Sequence, residues 1–249
     1  MQNKDCISVI IPTADRGQQL RKAVDSVLTQ SLPPAKIIIV DNGVNEAGVK
    51  FEDARVAIVR TSPRIGPGRP RNIGVQNCDT EYIAFLDDDD WWDPLYIKYT
   101  IKKLKETEAD VVVGQLKRQR ADGSVRDYKM FPEEPERQRG IFFSNPGFGG
   151  QNIAIKREVF LEMGGFDERM PASEDRDLAA RLIIAGKKIV CEPNAVAVLC
   201  DHGGSRVSHN IIRGNWMFIC KHWKHMRFSE RAKALKTLVK RELLHINQV

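Results

Sequence analysis

Hydrophobic and polar positions follow two periods along this chain. Ile7 to Ile11 is a short β-branched run ended by Pro12, the pattern of a buried parallel strand. Leu20, Ala23, Val24, Val27 and Leu28 then recur at helical spacing with Lys and Asp on the other face, and Pro33-Pro34 stops that helix. Lys36 to Val40 reads as a second strand ending in Asp41-Asn42-Gly43, and Arg55 to Val59 as a third. A β–α–β order with crossovers of this length requires parallel pairing and a right-handed connection. Tyr82 to Leu86 is a further buried strand. It is followed by a helix from Pro94 to about Glu108, with Ile97, Ile101 and Leu104 inward and Lys98, Lys102, Lys103 and Lys105 toward water. Asp93 is the expected N-cap of that helix, with Pro94 at its first position. Asp110 to Gly114 is another buried strand.

The second half is less regular. Asp122-Gly123 marks a hairpin turn, and Pro132 to Gly140 reads as a mobile loop. Gly147 to Gln151 is a tight turn before a strand at Asn152–Ile155, and a short helix from Arg157 to Met163 ends at Gly164-Gly165. Ser173 is the expected N-cap of a helix from Glu174 to Ala185, with Leu178, Leu182 and Ala185 on the core side and Gly186 as terminator. Lys188–Val190 and Ala195–Leu199 read as two short strands. From about Ile211 to Val249 the chain is expected to be helical and basic, with Leu235, Leu238, Val239 and Leu243 as an apolar stripe. Trp216, Phe218, Trp223 and Phe228 stand beside Lys221, Lys224 and Arg227. Such a segment can lie on an anionic membrane surface, or pack on its own domain or a second subunit.

Length and charge narrow the classes. A chain of 249 residues suffices for one large α/β domain or a domain with an appendage. No run approaches the ~18–20 apolar residues of a membrane span, and no signal peptide opens the sequence. A net charge of +6 favours anionic partners. The Lys and Arg residues are dispersed and no recognition motif appears, so nucleic acid is not an expected partner. Five cysteines without CxxC spacing look like reduced thiols of a cytosolic protein.

Chemistry concentrates where strands end. Four consecutive aspartates, Asp87 to Asp90, follow the strand at Tyr82–Leu86. Burying them unpaired would cost several kcal/mol or more. A hard divalent cation with a phosphate ligand accounts for them better, at the sheet edge where open α/β folds bind ligands. Arg60 to Asn77, rich in Arg, Pro and Gly, is a loop leading into a helix start, an arrangement suited to phosphate. Glu174-Asp175-Arg176-Asp177 starts a helix, where a carboxylate can cap or act as a general base. His202, in a polar turn after the last strand, can cap that turn or ligate a metal.

These segments together resemble the family 2 glycosyltransferases, inverting, nucleotide-sugar-dependent enzymes with the GT-A fold. The resemblance covers roughly Ile7 to Ile189. It rests on Ser-Val-Ile-Ile-Pro-Thr (8–13), Ser-Val-Leu-Thr-Gln (26–30), Ile-Ile-Val-Asp-Asn-Gly (38–43), Arg-Asn-Ile-Gly (71–74), Tyr-Ile-Ala-Phe-Leu-Asp-Asp-Asp-Asp (82–90), Gly-Gly-Phe-Asp-Glu (164–168) and Glu-Asp-Arg-Asp-Leu (174–178). Any one is weak; in this order they are specific.

The resemblance implies a mixed, mostly parallel central α/β sheet flanked by helices, with a helical tail. It implies a glycosyltransferase domain over 1–205, with a nucleotide-sugar half of about 1–114 and an acceptor half of about 115–205, and a basic extension over 206–249. Pro12, Thr13, Asp15, Asp41, Asn42, Arg64, Arg71, Asp87 and Asp88 are implied on the donor. Asp89 and His202 are implied on Mn²⁺ or Mg²⁺, and Asp175 as the catalytic base. Gly150, Gln151, Glu174 and Arg176 are implied on the acceptor side. The implied reaction moves a hexosyl or N-acetylhexosaminyl group from a nucleotide-diphospho-sugar, a UDP-sugar being favoured, to a saccharide or glycolipid hydroxyl in cell-envelope polysaccharide or glycan synthesis. The implied place is the cytoplasm, with peripheral contact at the inner face of the membrane; a homo-oligomer stays open. The chain departs from the family at Asn42, where a second acid is common, at Ala14-Asp15, where Tyr-Asn is common, and at Arg176, where tryptophan is usual. The rival readings are a nucleotidyltransferase, which would more typically carry a Gly-rich basic loop after the first strand, and a protein that only binds nucleotide or nucleic acid.

Overall fold

The structure is a computed structural model and describes residues 3–200 and 209–246, with side chains over 6–200 and 210–240. Strand β1 (Asn3–Thr13), helix α1 (Gly17–Leu28), β2 (Lys36–Asp41) and β3 (Val56–Arg60) form the parallel unit expected from the apolar runs. Helix α2 (Gly68–Gln76) then returns the chain to β4 (Thr80–Phe85), on the other side of β1. The short β5 (Trp91–Trp92), α3 (Tyr96–Thr107), and the β6 (Val111–Gln119) and β7 (Val125–Lys129) hairpin follow. Next come α4 (Pro135–Gln138), β8 (Ile153–Lys156), α5 (Arg157–Glu162), α6 (Glu174–Ile184) and β9 (Ile189–Cys200). Two tail helices, α7 (His209–His222) and α8 (Phe228–Ile246), end the described chain. The strands form one sheet ordered β3-β2-β1-β4-β8-β6-β9-β5, with β7 pairing β6. Pairing is parallel through β3, β2, β1 and β4 and between β6 and β9, and antiparallel where β8 joins.

Side chains of β1 alternate between two cores, because successive residues of a strand face opposite sides. Val9 and Ile11 join Leu20, Val24 and Ile97 under α1 and α3. Ile10 joins Phe85, Phe160, Phe166 and Leu178 on the other face. There Phe85, Phe160 and Phe166 pack pairwise, tilted or edge to face, with centroids 5.1 to 5.4 Å apart. Gly74 lets α2 lie directly on β1: a Cβ there would stand 2.3 Å from Ile10 Cγ2.

Several local expectations are corrected. Residues 132–140 are not an open loop. Pro135 starts α4, a 3-10 turn follows at Arg139–Phe142, and Gln138, Ile141 and Phe142 are buried. The helix expected from Pro94 begins at Tyr96, and the Asp93 carboxylate accepts the Leu95 N–H. Ser173 precedes α6 with a left-handed φ of +67° and its hydroxyl makes no cap, while Ala185 is exposed. The two strands expected after Gly186 are one, β9, whose pairing with β6 slips between Gly114 and Gln115.

The tail packs on its own domain. Phe218, Ile219, Met226, Ala234 and Leu238 are buried with the α6 face of the core. Arg139 makes a paired contact with Glu230, 2.7 Å at its shorter arm, and Arg227 pairs with Glu136. Among the described residues no helix is long and apolar enough to cross a membrane.

Candidate active site

Parallel pairing brings the ends of β1, β2 and β4 to one edge of the sheet: Thr13 lies opposite Asp41, and Ile10 opposite Phe85. The chain leaves β1 outward to β2 and β3 and comes back to β4 on the other side. This makes the crevice at β1 a topological switch point, where open α/β sheets bind ligands. A cleft of about 380 Å³ lies there, lined by Pro12, Thr13, Ala14, Arg16, Asn42, Gly66, Pro67, Pro70, Arg71 and Asp87 to Asp89. Of the residues expected on the donor and metal, it collects Pro12, Thr13, Asn42, Arg71, Asp87, Asp88 and Asp89. Asp15, Asp41 and Arg64 are not in its lining.

The acidic run divides its labour. Asp87 pairs with Arg71. Asp88 is buried and accepts the Thr13 hydroxyl at 2.7 Å and Arg16 Nη1 at 3.2 Å. Burial pushes the Asp88 carboxyl above its ordinary range, against the hydrogen bond from Thr13 and the charge of Arg16. Asp89 accepts the same Arg16 Nη1 at 3.0 Å. Asp90 turns away and accepts the backbone N–H of Cys200 at 2.9 Å, tying the loop to the end of β9.

Arg16 was not singled out in the sequence. Its signal is a cation just past Pro12-Thr13, within reach of four aspartates that require neutralising. A positive group already bridging Asp88 and Asp89 marks this pair as a cation position, and hard carboxylate oxygens suit Mn²⁺ or Mg²⁺. Among the described residues no group of three or more His, Cys, Asp or Glu is placed to hold a metal. His202, the other expected ligand, lies outside the described residues.

The loop after β2 is braced by acids. Asp41 is buried and accepts the N–H groups of Gly43 at 3.0 Å and Ala47 at 2.9 Å while pairing with Arg60 at 2.6 Å. Asp15, at a φ of +59°, accepts the N–H groups of Val44 and Asn45, which hold its carboxyl below the usual range. Arg64 is exposed, with a φ of +55° and its N–H on the Asn42 carbonyl. The carboxylates of Asp15 and Asp41 thus fix the loop, and Asn42 is the side chain of that loop that lines the cleft.

Arg71 carries the cleft to the second acidic cluster. Its Nη2 meets Asp87, its Nη1 donates to Glu174 at 3.0 Å and to the Pro67 carbonyl at 2.7 Å. Burial opposes the Arg71 charge, and the carboxylates of Asp87 and Glu174 more than offset it. Gly150 backs this guanidinium; a Cβ there would stand 3.2 Å from Arg71 Nε. The neighbouring Gln151 is buried and its carbonyl accepts Trp92 Nε1 at 2.8 Å. Burial raises the Glu174 carboxyl. Burial and the adjacent Glu174 charge push Asp175 up to about 7. A carboxyl poised there can take a proton near neutral pH.

Arg176, expected on the acceptor side, is held among core and tail residues. It is buried, donates through Nε to the Ile141 carbonyl at 2.7 Å and through Nη1 to Asn215 Oδ1 at 2.8 Å, and lies 3.9 Å over the Phe218 ring. Asp177, fully buried, lies 2.8 Å from His222 Nε2, Lys221 and Arg181. Burial alone would raise Asp177; His222 and the two cations bring it below the usual range.

The family described as Glycosyl transferase family 2 matches residues 8–164. Glycosyltransferase GlyA of Streptococcus pneumoniae is 32% identical over 116 residues, 44% of this chain and 16% of that protein. An uncharacterized glycosyltransferase of Haemophilus influenzae is 25% identical over 181 residues, 71% of this chain and 62% of that one. This chain therefore spans less than two thirds of the length of these curated relatives. In fold it is similar to S. aureus TarS 1–349, with a TM-score of 0.71 and 16% identity over 95% of this chain and 71% of that one. The same TarS fragment in complex with UDP-GlcNAc gives a TM-score of 0.70 at 16% identity, over 95% and 72%. The sheet expected from the sequence is thus a GT-A sheet.

Proposed function

Because this chain belongs to glycosyl transferase family 2, and so is an enzyme that transfers sugars, we propose that it moves a sugar from a nucleotide-diphospho-sugar to a hydroxyl of a saccharide or glycolipid acceptor, with inversion. One observation carries the reading. A cleft with cations at Arg16 and Arg71 and carboxylates at Asp88 and Asp89 is joined, through Arg71, to a helix start whose Asp175 is raised to about 7. UDP-sugar is the favoured donor, supported by the similarity to TarS, which was solved with UDP-GlcNAc. A role in polysaccharide synthesis is supported by relatives such as succinoglycan biosynthesis protein ExoW of Rhizobium meliloti, 24% identical over 225 residues.

In this reading Thr13 and Asn42 line the nucleoside end of the cleft, and Arg16 and Arg71 face the diphosphate. Asp175 takes the proton of the acceptor hydroxyl as its oxygen bonds to the anomeric carbon from the face opposite the leaving group. The bond from that carbon to the diphosphate oxygen breaks, the electron pair leaves with the nucleoside diphosphate, and no covalent enzyme intermediate forms. A divalent cation held by Asp89, with Asp88 beside it, would supply Lewis-acid stabilisation to the departing diphosphate.

The test is the melting temperature of the protein against UDP, GDP, dTDP, CDP and CMP, each with and without Mn²⁺. A ligand that binds only the folded state raises it. UDP is expected to give the largest shift, enlarged by Mn²⁺. No shift with any nucleotide would remove the donor reading.

A further inference from the structure

The structure assigns the outer face of α8 to an anionic lipid bilayer. Helix α8 carries two apolar stripes. Ala234 and Leu238 are buried with Glu230 on the inner side. Phe228, Ala232, Leu235 and Val239 recur at steps of four, three and four, which confines them to one narrow sector of the helix. All four are exposed: Phe228 by 86%, Leu235 by 39% and Val239 by 53%, with Ala232 between them. Trp223 extends the stripe at its N-terminal end. It is 38% exposed, and Arg231 donates to its carbonyl and lies 4.9 Å over its ring.

Charge selects the occupant. Between residues 210 and 240 the sole acidic residue is Glu230, which is buried and paired with Arg139. Between residues 210 and 240 the exposed charge of the tail is therefore positive. Lys236 and Lys240 flank the stripe on one side and Arg231 on the other. A second copy meeting this face across a two-fold axis would set lysines against lysines. A bilayer with anionic headgroups takes the apolar stripe among its acyl chains and the lysines at its surface, and an aromatic such as Trp223 suits the interface between them. This docking is independent of the donor chemistry proposed above.

The experiment is sedimentation of the full chain with vesicles of phosphatidylcholine alone and of an equimolar mixture with phosphatidylglycerol. Binding is expected to the mixed vesicles, weakening as salt is raised. The triple variant Phe228→Ser, Leu235→Ser, Val239→Ser should partition at least about tenfold less, with the parent's melting temperature, because none of the three is in the core. The double variant Lys236→Glu, Lys240→Glu should lose the preference for the anionic vesicles. Equal binding by the triple variant, or by phosphatidylcholine alone, overturns the proposal. So does a parent that ignores vesicles but sediments as a dimer that the triple variant dissolves. The readout needs no nucleotide, so its failure would leave the UDP result standing.

Discussion

Arg71 holds Asp87 and Glu174 on the two arms of one guanidinium, joining the end of β4 to the start of α6, with Glu174 itself 103 residues from Arg71 in sequence. The cleft lining is thereby set relative to Asp175, the carboxyl proposed to take the acceptor proton. Removing one partner of a buried ion pair leaves uncompensated charge and costs about 3–5 kcal/mol. Arg71→Met is therefore expected to lower stability by about that amount, measured by urea unfolding. Arg71→Lys, with one point charge in place of a planar fork, should recover only part of the loss.

Asp175→Asn removes a base and keeps the size. The expected result is a turnover lowered by about 10²–10⁴-fold with the UDP-induced melting shift retained. Normal turnover in this variant would end the assignment of Asp175.

The pH dependence of the parent should follow the same carboxyl. Its activity is expected to rise with pH through about 7, as Asp175 loses its proton. Stability moves the other way. A carboxyl raised from 3.8 to about 7 binds its proton more tightly folded than unfolded, so its contribution to folding is greatest below 3.8 and is lost as pH rises toward 7. Relative to the parent, Asp175→Asn should thus gain stability between pH 5 and pH 8, which thermal unfolding at the two pH values would read.

Arg16→Ala removes the cation that bridges Asp88 and Asp89. Arg16 is half-exposed, so its loss should change stability by no more than about 1 kcal/mol. If it faces the donor diphosphate, UDP affinity should fall by about tenfold or more, since a hydrogen bond to a charged group is worth about 1.5–3 kcal/mol. Titration calorimetry of UDP checks both the affinity and its dependence on Mn²⁺; unchanged affinity would place Arg16 outside the diphosphate site.

The contrast between these residues shows what could be read in advance. The runs at Ile7–Ile11, Lys36–Val40 and Tyr82–Leu86 announced their strands because a strand buried on both faces leaves an unbroken apolar signature. Thr13, Asn42 and Asp87 to Asp89, named by their motifs, share one edge because parallel pairing sends strand ends to the same side. Residues 132–140 differ from the expected loop because their order comes from contacts with Glu230, Arg227 and Ile189, far along the chain, and not from their own pattern. The Arg16 bridge spans 72 and 73 residues, and no local periodicity reports it. Arg176 was placed by its motif, but its direction is set by Asn215 and Phe218, whose helix shows nothing of that contact in its own spacing.

Those same contacts make the tail part of the frame that holds the proposed base. Arg176 and Asp177 follow Asp175 in the chain, and four of their partners, Asn215, Phe218, Lys221 and His222, lie on α7. Amide hydrogens of α6 and α7 should therefore exchange with solvent at matched rates, as a single cooperative unit that opens together. A substitution at His222, on the tail, would then speed exchange at the start of α6.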